Sequence, residues 1–225
     1  MLKNWSVFEK LFLLIGTCLA LILAFTLKAS LIDLVYVLLY FWTSVLLAKG
    51  KYICYIIGMV STFFYAFVSY KNAYYGEVII ALLCTLPLMI FGLINWLHHQ
   101  DDTNTVIVKE VSKKELVLLL LSQLVLFIGY YYLLKQFNTN NLLVSTISIV
   151  ASVIATYLTA RRSEYGFLGY IINDAILIVL WCIPVFSGKY ELILDAFGPT
   201  LLIINDSYGI YNWKKIKKYQ EKSWR

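Results

Sequence analysis

Three acidic residues stand inside long apolar stretches in the second half of the chain: Asp174, Asp195 and Asp206. Two of them follow an asparagine, giving Asn173-Asp174 and Asn205-Asp206. A carboxyl group held in hydrocarbon costs roughly 2.5–3.5 kcal/mol on insertion scales, so such a residue is read first as part of a functional site. Asparagine offers donors and acceptors together, which suits an amide or sugar hydroxyls. Trp181 follows Asp174 by seven residues, so on a helix the two share a face about 10 Å apart. That spacing sets an aromatic ring under a flat ligand while the carboxylate reaches its sugar or its charge. The competing readings are structural. A carboxyl group can be paired within a bundle or face a water-filled crevice, and Trp181 can be lipid-facing filler. Asp195, near the outer end of its stretch, lies within reach of water.

Other chemistries lack their residues. There is no Gly-x-x-x-x-Gly-Lys-Ser/Thr loop for a nucleotide phosphate, no His-Glu-x-x-His and no serine in a Gly-x-Ser-x-Gly elbow. His98, His99, Asp101 and Asp102 cluster in a short polar segment that reads as a solvated link rather than a metal site. Cys18, Cys54, Cys84 and Cys182 fall in apolar runs without a Cys-x-x-Cys pair, which reads as packing. No enzyme activity, cofactor or metal is expected.

The elements that position the acidic residues are membrane spans. Of 225 residues, 61% are hydrophobic and 14% charged, too apolar for a soluble domain. Runs of the roughly 20 residues needed to cross a bilayer occur at 11–28, 31–48, 52–70, 77–96, 115–134, 142–160, 165–187 and 192–213. They are long and continuous, hence helices and not barrel strands. The first run follows Lys3 and Lys10 but is longer than the apolar core of a signal peptide, and Ala29-Ser30 is a weak cleavage site, so a retained helix is expected. If the eight spans alternate, 15 of the 19 basic residues fall on one side and Lys28, Lys71, Lys135 and Lys189 on the other. The net charge of +6 is therefore a topology signal and not a nucleic-acid one. It puts both termini in the cytoplasm. Trp42, Trp96 and Trp213 fit the aromatic belt at the membrane interface.

Two groups of three spans end alike, in Gly92-Leu93-Ile94-Asn95-Trp96 and Gly209-Ile210-Tyr211-Asn212-Trp213. In each group the first two helices are joined by a tight basic turn, Ala48-Lys49-Gly50-Lys51 and Ala160-Arg161-Arg162-Ser163. The expected organisation is an N-terminal helix (1–30), a first triple-helix repeat (31–96), a polar cytoplasmic link (97–114), a linker helix (115–134), a second repeat (142–213) and a basic cytoplasmic tail (214–225). Three helices per unit and one crossing helix between units give both repeats the same orientation, so they are parallel. Pro87, Pro184 and Pro199 lie within the runs and permit bends.

The chain resembles the PnuC-type transporters, typified by nicotinamide riboside uptake. The residues that carry the resemblance are Lys49-Gly50-Lys51, Tyr55, Gly58, Tyr75-Gly76-Glu77-Val78, Leu86-Pro87 and Gly92 to Trp96 in the first repeat. In the second they are Ile171-Ile172-Asn173, Trp181, Asn205 and Tyr208-Gly209 to Trp213. The resemblance covers essentially the whole chain. It implies a SWEET-like all-α bundle of 3+1+3 core helices with an additional N-terminal transmembrane helix, assembled as a homotrimer in the lipid of the plasma membrane. Such a protein passes its substrate by facilitated diffusion, and a cytosolic kinase traps the product. The substrate lies between the triplets, which implies a site of Ser61, Met89, Asn173, Asp174, Trp181, Asn205 and Asp206. The chain departs from the family pattern at Ser61, Ala81, Met89 and Gly169, where amides, polar groups or a tryptophan are usual. Asp174 and Asp206 stand where apolar residues are expected. Other ligands of the family, namely thiamine, riboflavin or deoxynucleosides, and proton or cation coupling through Asp174 or Asp206, are the alternatives.

Overall fold

The computed structural model describes residues 5–223, so Lys3 and Arg225 lie outside the described residues. The helices are α1 (Val7–Leu27), α2 (Leu31–Ala48), α3 (Ile53–Lys71), α4 (Tyr75–Leu97), α5 (Lys113–Gln136), α6 (Leu142–Ala160), α7 (Tyr165–Phe186) and α8 (Ile193–Ser223). Helix α1 starts four residues ahead of its apolar run. Ser6 and Glu9 form a capping box, in which the Glu9 N–H donates to Ser6 Oγ at 3.2 Å and the Ser6 N–H to Glu9 Oε2 at 2.8 Å. That Ser-x-x-Glu signature is present in the sequence. Ser30 and Asp33 repeat it at the start of α2.

Among the described residues seven helices, α1 to α7, are long and apolar enough to cross a membrane. Helix α8 is as long but not as apolar, because Asn205-Asp206-Ser207 and Asn212 interrupt it and the lysines of the tail extend it. The tail expected after residue 213 is thus helical to Ser223. Packing supplies the reason. Helix α8 lies against α2 and α7, with α1 alongside, so its polar residues face protein rather than hydrocarbon. Leu194, Asp195, Asn205, Asp206 and Trp213 on it are all buried. Asp195 does not reach water as its position near a helix end implied; it is 0% exposed.

Helices α2 and α3, α3 and α4, α6 and α7, and α7 and α8 pack as neighbours, and α4 crosses to α6. Helix α5 leans on α6 with most of its surface outward, and Leu118, Leu121, Leu124 and Val125 are exposed. The basic turns close in matching conformations. Gly50 and Arg162 both have φ of +66°, a left-handed geometry that is free for glycine and costs about 1–2 kcal/mol elsewhere. Two contacts hold Arg162 there: its Nη1 donates to the Ile107 carbonyl at 3.2 Å, and its own carbonyl accepts from the Lys109 N–H at 2.9 Å. The polar link is tied to both turns and to the end of α8. The Val106 N–H donates to the Gly50 carbonyl, and the Gln220 side chain bonds Asp101, Val106 and Val108.

Candidate functional site

The two Asn-Trp endings each reach across the bundle. Asn95 Nδ2 and Trp96 Nε1 of α4 donate to the Ala160 and Thr159 carbonyls at the end of α6, at 2.7 and 3.1 Å. Asn212 Nδ2 and Trp213 Nε1 of α8 donate to the Ala48 and Leu47 carbonyls at the end of α2, at 2.8 and 3.1 Å. Carbonyls at a helix C-terminus have no partner in their own helix. The asparagines supply one to Ala48 and Ala160. The tryptophans add a second to Leu47 and Thr159, which also accept from the Gly50 and Arg162 N–H groups of the turns at 2.9 and 2.8 Å. The glycines of the motif make room for an aromatic ring. A Cβ at Gly92 would stand 2.5 Å from the Tyr55 ring and one at Gly209 2.5 Å from the Phe167 ring. Trp96 and Trp213 meet at 5.4 Å between ring centres, with Tyr55 and Phe167 edge-on to them. Both tryptophans are 0% exposed, so they close one end of the interior instead of joining an interfacial belt. Trp42, 40% exposed, does face outward.

Behind this aromatic closure lies a cavity with about 930 Å³ of empty space, its open end included. Six helices contribute to its wall: α2, α3, α4, α6, α7 and α8. Four expected site residues line it, namely Ser61, Met89, Asn173 and Asp206. Ser61 Oγ donates to the Tyr36 carbonyl at 3.5 Å, and Ser148 Oγ donates to Asn173 Oδ1 at 3.4 Å. Met89 lies within 3.6 Å of the Thr62 hydroxyl.

The other three expected residues stand outside the wall. Asp174 is fully buried with its carboxyl group against that of Asp206, and neither of its oxygens has any other hydrogen-bond partner. Asn205 donates to Ser44, a lining residue, from behind. Trp181 is buried at the far end, edge-on to Tyr74 at 5.2 Å and Tyr65 at 6.5 Å, and its Nε1 has no acceptor. The helical face shared by Asp174 and Trp181 is therefore not the face that meets the cavity. At position 169 a side chain is excluded altogether, because a Cβ there would sit 2.9 Å from the Ala155 backbone. A tryptophan would have no space at this position, where α6 and α7 touch.

Sequence reasoning did not select Glu77 or the tyrosines of the wall. Glu77 stood at the start of a span, where a carboxylate ordinarily meets water. Here it is 2% exposed, lines the cavity and accepts from the Tyr65 hydroxyl at 2.8 Å. Tyr36, Tyr40, Tyr55 and Tyr170 also line it. Tyrosine in the middle of a span, where the phenol needs a polar partner, is the signal that marked them.

A backbone irregularity brings α4 onto the site. Glu77, Ala81, Thr85 and Met89 all line the cavity at intervals of four. At about 100° per residue an unbroken α-helix would turn Met89 about 120° away from Glu77. Residues Ala81–Thr85 form a π-helical turn, closed by the Leu86 N–H on the Ala81 carbonyl. That turn takes up one extra residue and reduces the drift to about 20°. Pro87 follows; lacking an N–H, it leaves a preceding carbonyl without its helical donor and favours such a rearrangement.

Two carboxyl groups, several hydroxyls and one amide thus face the cavity, and none of the described lysines or arginines lines it. Acceptors outnumber donors. The arrangement suits a ligand that carries donors or a positive charge, held against aromatic rings.

Residues 30–215 match the model of a family described as Nicotinamide mononucleotide transporter. A curated relative, the nicotinamide riboside transporter PnuC of Neisseria mucosa, is 25% identical over 179 residues, which is 77% of this chain and 68% of that protein. The fold is similar to that in the crystal structure of the vitamin B3 transporter PnuC. The TM-score is 0.83 at 24% identity, over 96% of this chain and 94% of that one.

Proposed function

This chain is a member of the nicotinamide mononucleotide transporter family, and we propose that it carries nicotinamide riboside across the plasma membrane by facilitated diffusion through the central cavity. The protein is a transporter and not an enzyme. The observation that carries the choice of substrate is the charge of the cavity wall: Glu77 and Asp206 face it and, among the described residues, no basic one does. A phosphate monoester would meet two carboxyl groups without a counter-charge. A riboside with a cationic ring meets acceptors and aromatic faces.

In this reading residues 31–96 and 142–213 are parallel triple-helix repeats of a SWEET-like 3+1+3 bundle, joined by helix 115–134 and preceded by helix 1–30. The reciprocal Asn-Trp contacts support it, since each repeat caps the first helix of the other in the same way. The charge split of the sequence supports a topology with both termini, the 97–114 link and the 214–225 tail in the cytoplasm. The protein works as a homotrimer, and a cytosolic kinase traps the substrate by phosphorylation. Ser61, Met89, Asn173 and Asp206 contact the ligand; Asp174 and Asn205 support them from behind, and Trp181 covers the far end.

The test is transport in liposomes holding the purified protein, with no ATP and no ion gradient. Labelled nicotinamide riboside should equilibrate and show counterflow. A second reading, proton or cation coupling, is favoured by the contact of Asp174 with Asp206. Uptake that requires a gradient would select it and exclude simple diffusion. Competition by thiamine, riboflavin or deoxynucleosides in the same vesicles ranks the other ligands.

A further inference from the structure

Among the described residues six carboxyl groups are buried: Glu9 and Asp33 serve the capping boxes of α1 and α2, and Glu77, Asp174, Asp195 and Asp206 have differing surroundings. Asp174 and Asp195 do not line the cavity. Asp206 lines it but is engaged with Asp174. Glu77 alone combines three features: it lines the cavity, its Oε2 is fixed by the Tyr65 hydroxyl at 2.8 Å, and its Oε1 accepts no hydrogen bond within 3.5 Å, the nearby Ser148 hydroxyl being turned to Asn173 Oδ1 at 3.4 Å. Beside it stands an aromatic wall. Tyr36 packs on Tyr65 at 5.3 Å and on Tyr40 at 5.7 Å between ring centres, and Tyr36 and Tyr40 also line the cavity. The π-helical turn lies four residues further along α4 and keeps Glu77 in phase with Met89.

A buried carboxylate oxygen without a donor is costly unless something else satisfies it. A ring carrying a permanent positive charge does so without giving up a proton, and it stacks on tyrosine faces within the roughly 6 Å over which a cation and an aromatic ring attract. We propose that Glu77 reads the charge of the substrate: its Oε1, with Tyr65 fixing the carboxylate, takes the cationic ring against the Tyr36 and Tyr40 faces. Glu77 is therefore the specificity-determining residue that separates a cationic riboside from a neutral one of the same shape. This rests on the nicotinamide riboside reading above.

The pair of probes that isolates charge is nicotinamide riboside and 1,4-dihydronicotinamide riboside, which has nearly the same outline but a neutral ring. Binding of both is measured calorimetrically on the purified full chain, unmodified and as Glu77→Gln, Tyr65→Phe and Asp206→Asn. Glutamine keeps an acceptor for the Tyr65 hydroxyl and removes only the charge. The unmodified protein should prefer the cation. Glu77→Gln should weaken the cation roughly ten- to a hundred-fold and leave the neutral riboside within about threefold, so that the preference collapses. Tyr65→Phe should weaken the preference in part. A Glu77→Gln protein that keeps the wild-type preference overturns the assignment, as does a preference that collapses in Asp206→Asn instead. If Glu77→Gln fails to assemble, the unmodified protein still decides, because equal affinity for the two ribosides overturns charge reading by itself. Binding of neither riboside by assembled wild-type protein refutes the substrate reading, a result distinct from equal binding of both.

Discussion

Replacing Trp213 by phenylalanine tests whether the reciprocal caps hold the bundle together. Trp213 is 0% exposed, and its Nε1 donates to the Leu47 carbonyl at 3.1 Å. Phenylalanine keeps a ring against Trp96 and Phe167 but removes the donor. The Leu47 carbonyl keeps the Gly50 N–H at 2.9 Å but loses its side-chain donor, which costs about 0.5–1.5 kcal/mol. The smaller ring forfeits roughly 1 kcal/mol of apolar burial. The expected loss is roughly 1.5–2.5 kcal/mol. Trp96→Phe should lose a similar amount, because Trp96 makes the matching bond to Thr159 at 3.1 Å. Trp181→Phe is the internal control. It is as deeply buried, but its Nε1 has no acceptor, so the change gives up ring area alone, about 1 kcal/mol. The assay is reversible unfolding in mixed micelles, followed by far-UV circular dichroism as the denaturing detergent fraction rises. Because the Trp96 and Trp213 rings touch at 5.4 Å, the double variant should depart from additivity. Loss of equal stability in Trp181→Phe and Trp213→Phe would refute the reasoning, since burial alone would then account for both.

Asp206→Asn should weaken binding of nicotinamide riboside by roughly ten- to a hundred-fold, as for one lost charge-assisted hydrogen bond, while the protein still assembles. Asp174→Asn, one layer behind, should do less. Wild-type affinity in both well-folded variants would remove the aspartates from the site. Single cysteines at Lys71, Lys135 and Lys189 should react with an impermeant maleimide from outside cells, and reaction at Lys109 instead would invert the topology. Partial burial pushes Asp101 up, but hydrogen bonds from Thr103, Gln220 and the Thr105 backbone outweigh it and hold the carboxylate below its ordinary range. Its contribution to holding the link is thus present above about pH 4, the unfolded value, and is lost as pH falls through the lower folded value. Amide exchange at Thr105, which bonds Asp101 directly, should accelerate over that window, and Asp101→Asn should remove the pH dependence.

The positions of the helices and most of their boundaries followed from the sequence, because long apolar runs separated by polar turns fold as helices. The runs 31–48 and 142–160 coincide with α2 and α6. The duplicated Gly-x-x-Asn-Trp ending was also there to be read, and so was a carboxyl group in mid-span as a mark of a protected interior. What neighbours decide was not there. Hydropathy grades a residue by its type alone, so it could not tell that Trp96 and Trp213 face each other while Trp42 faces outward, or that Asp195 is sealed from water at a helix end. Helical spacing put Asp174 and Trp181 on one face, but only the packing of α7 against its neighbours determined that Asn173 meets the cavity instead. Glu77 reached the site through a π-helical turn that changes the phase of α4 by one residue, a backbone event that no 3.6-residue periodicity contains.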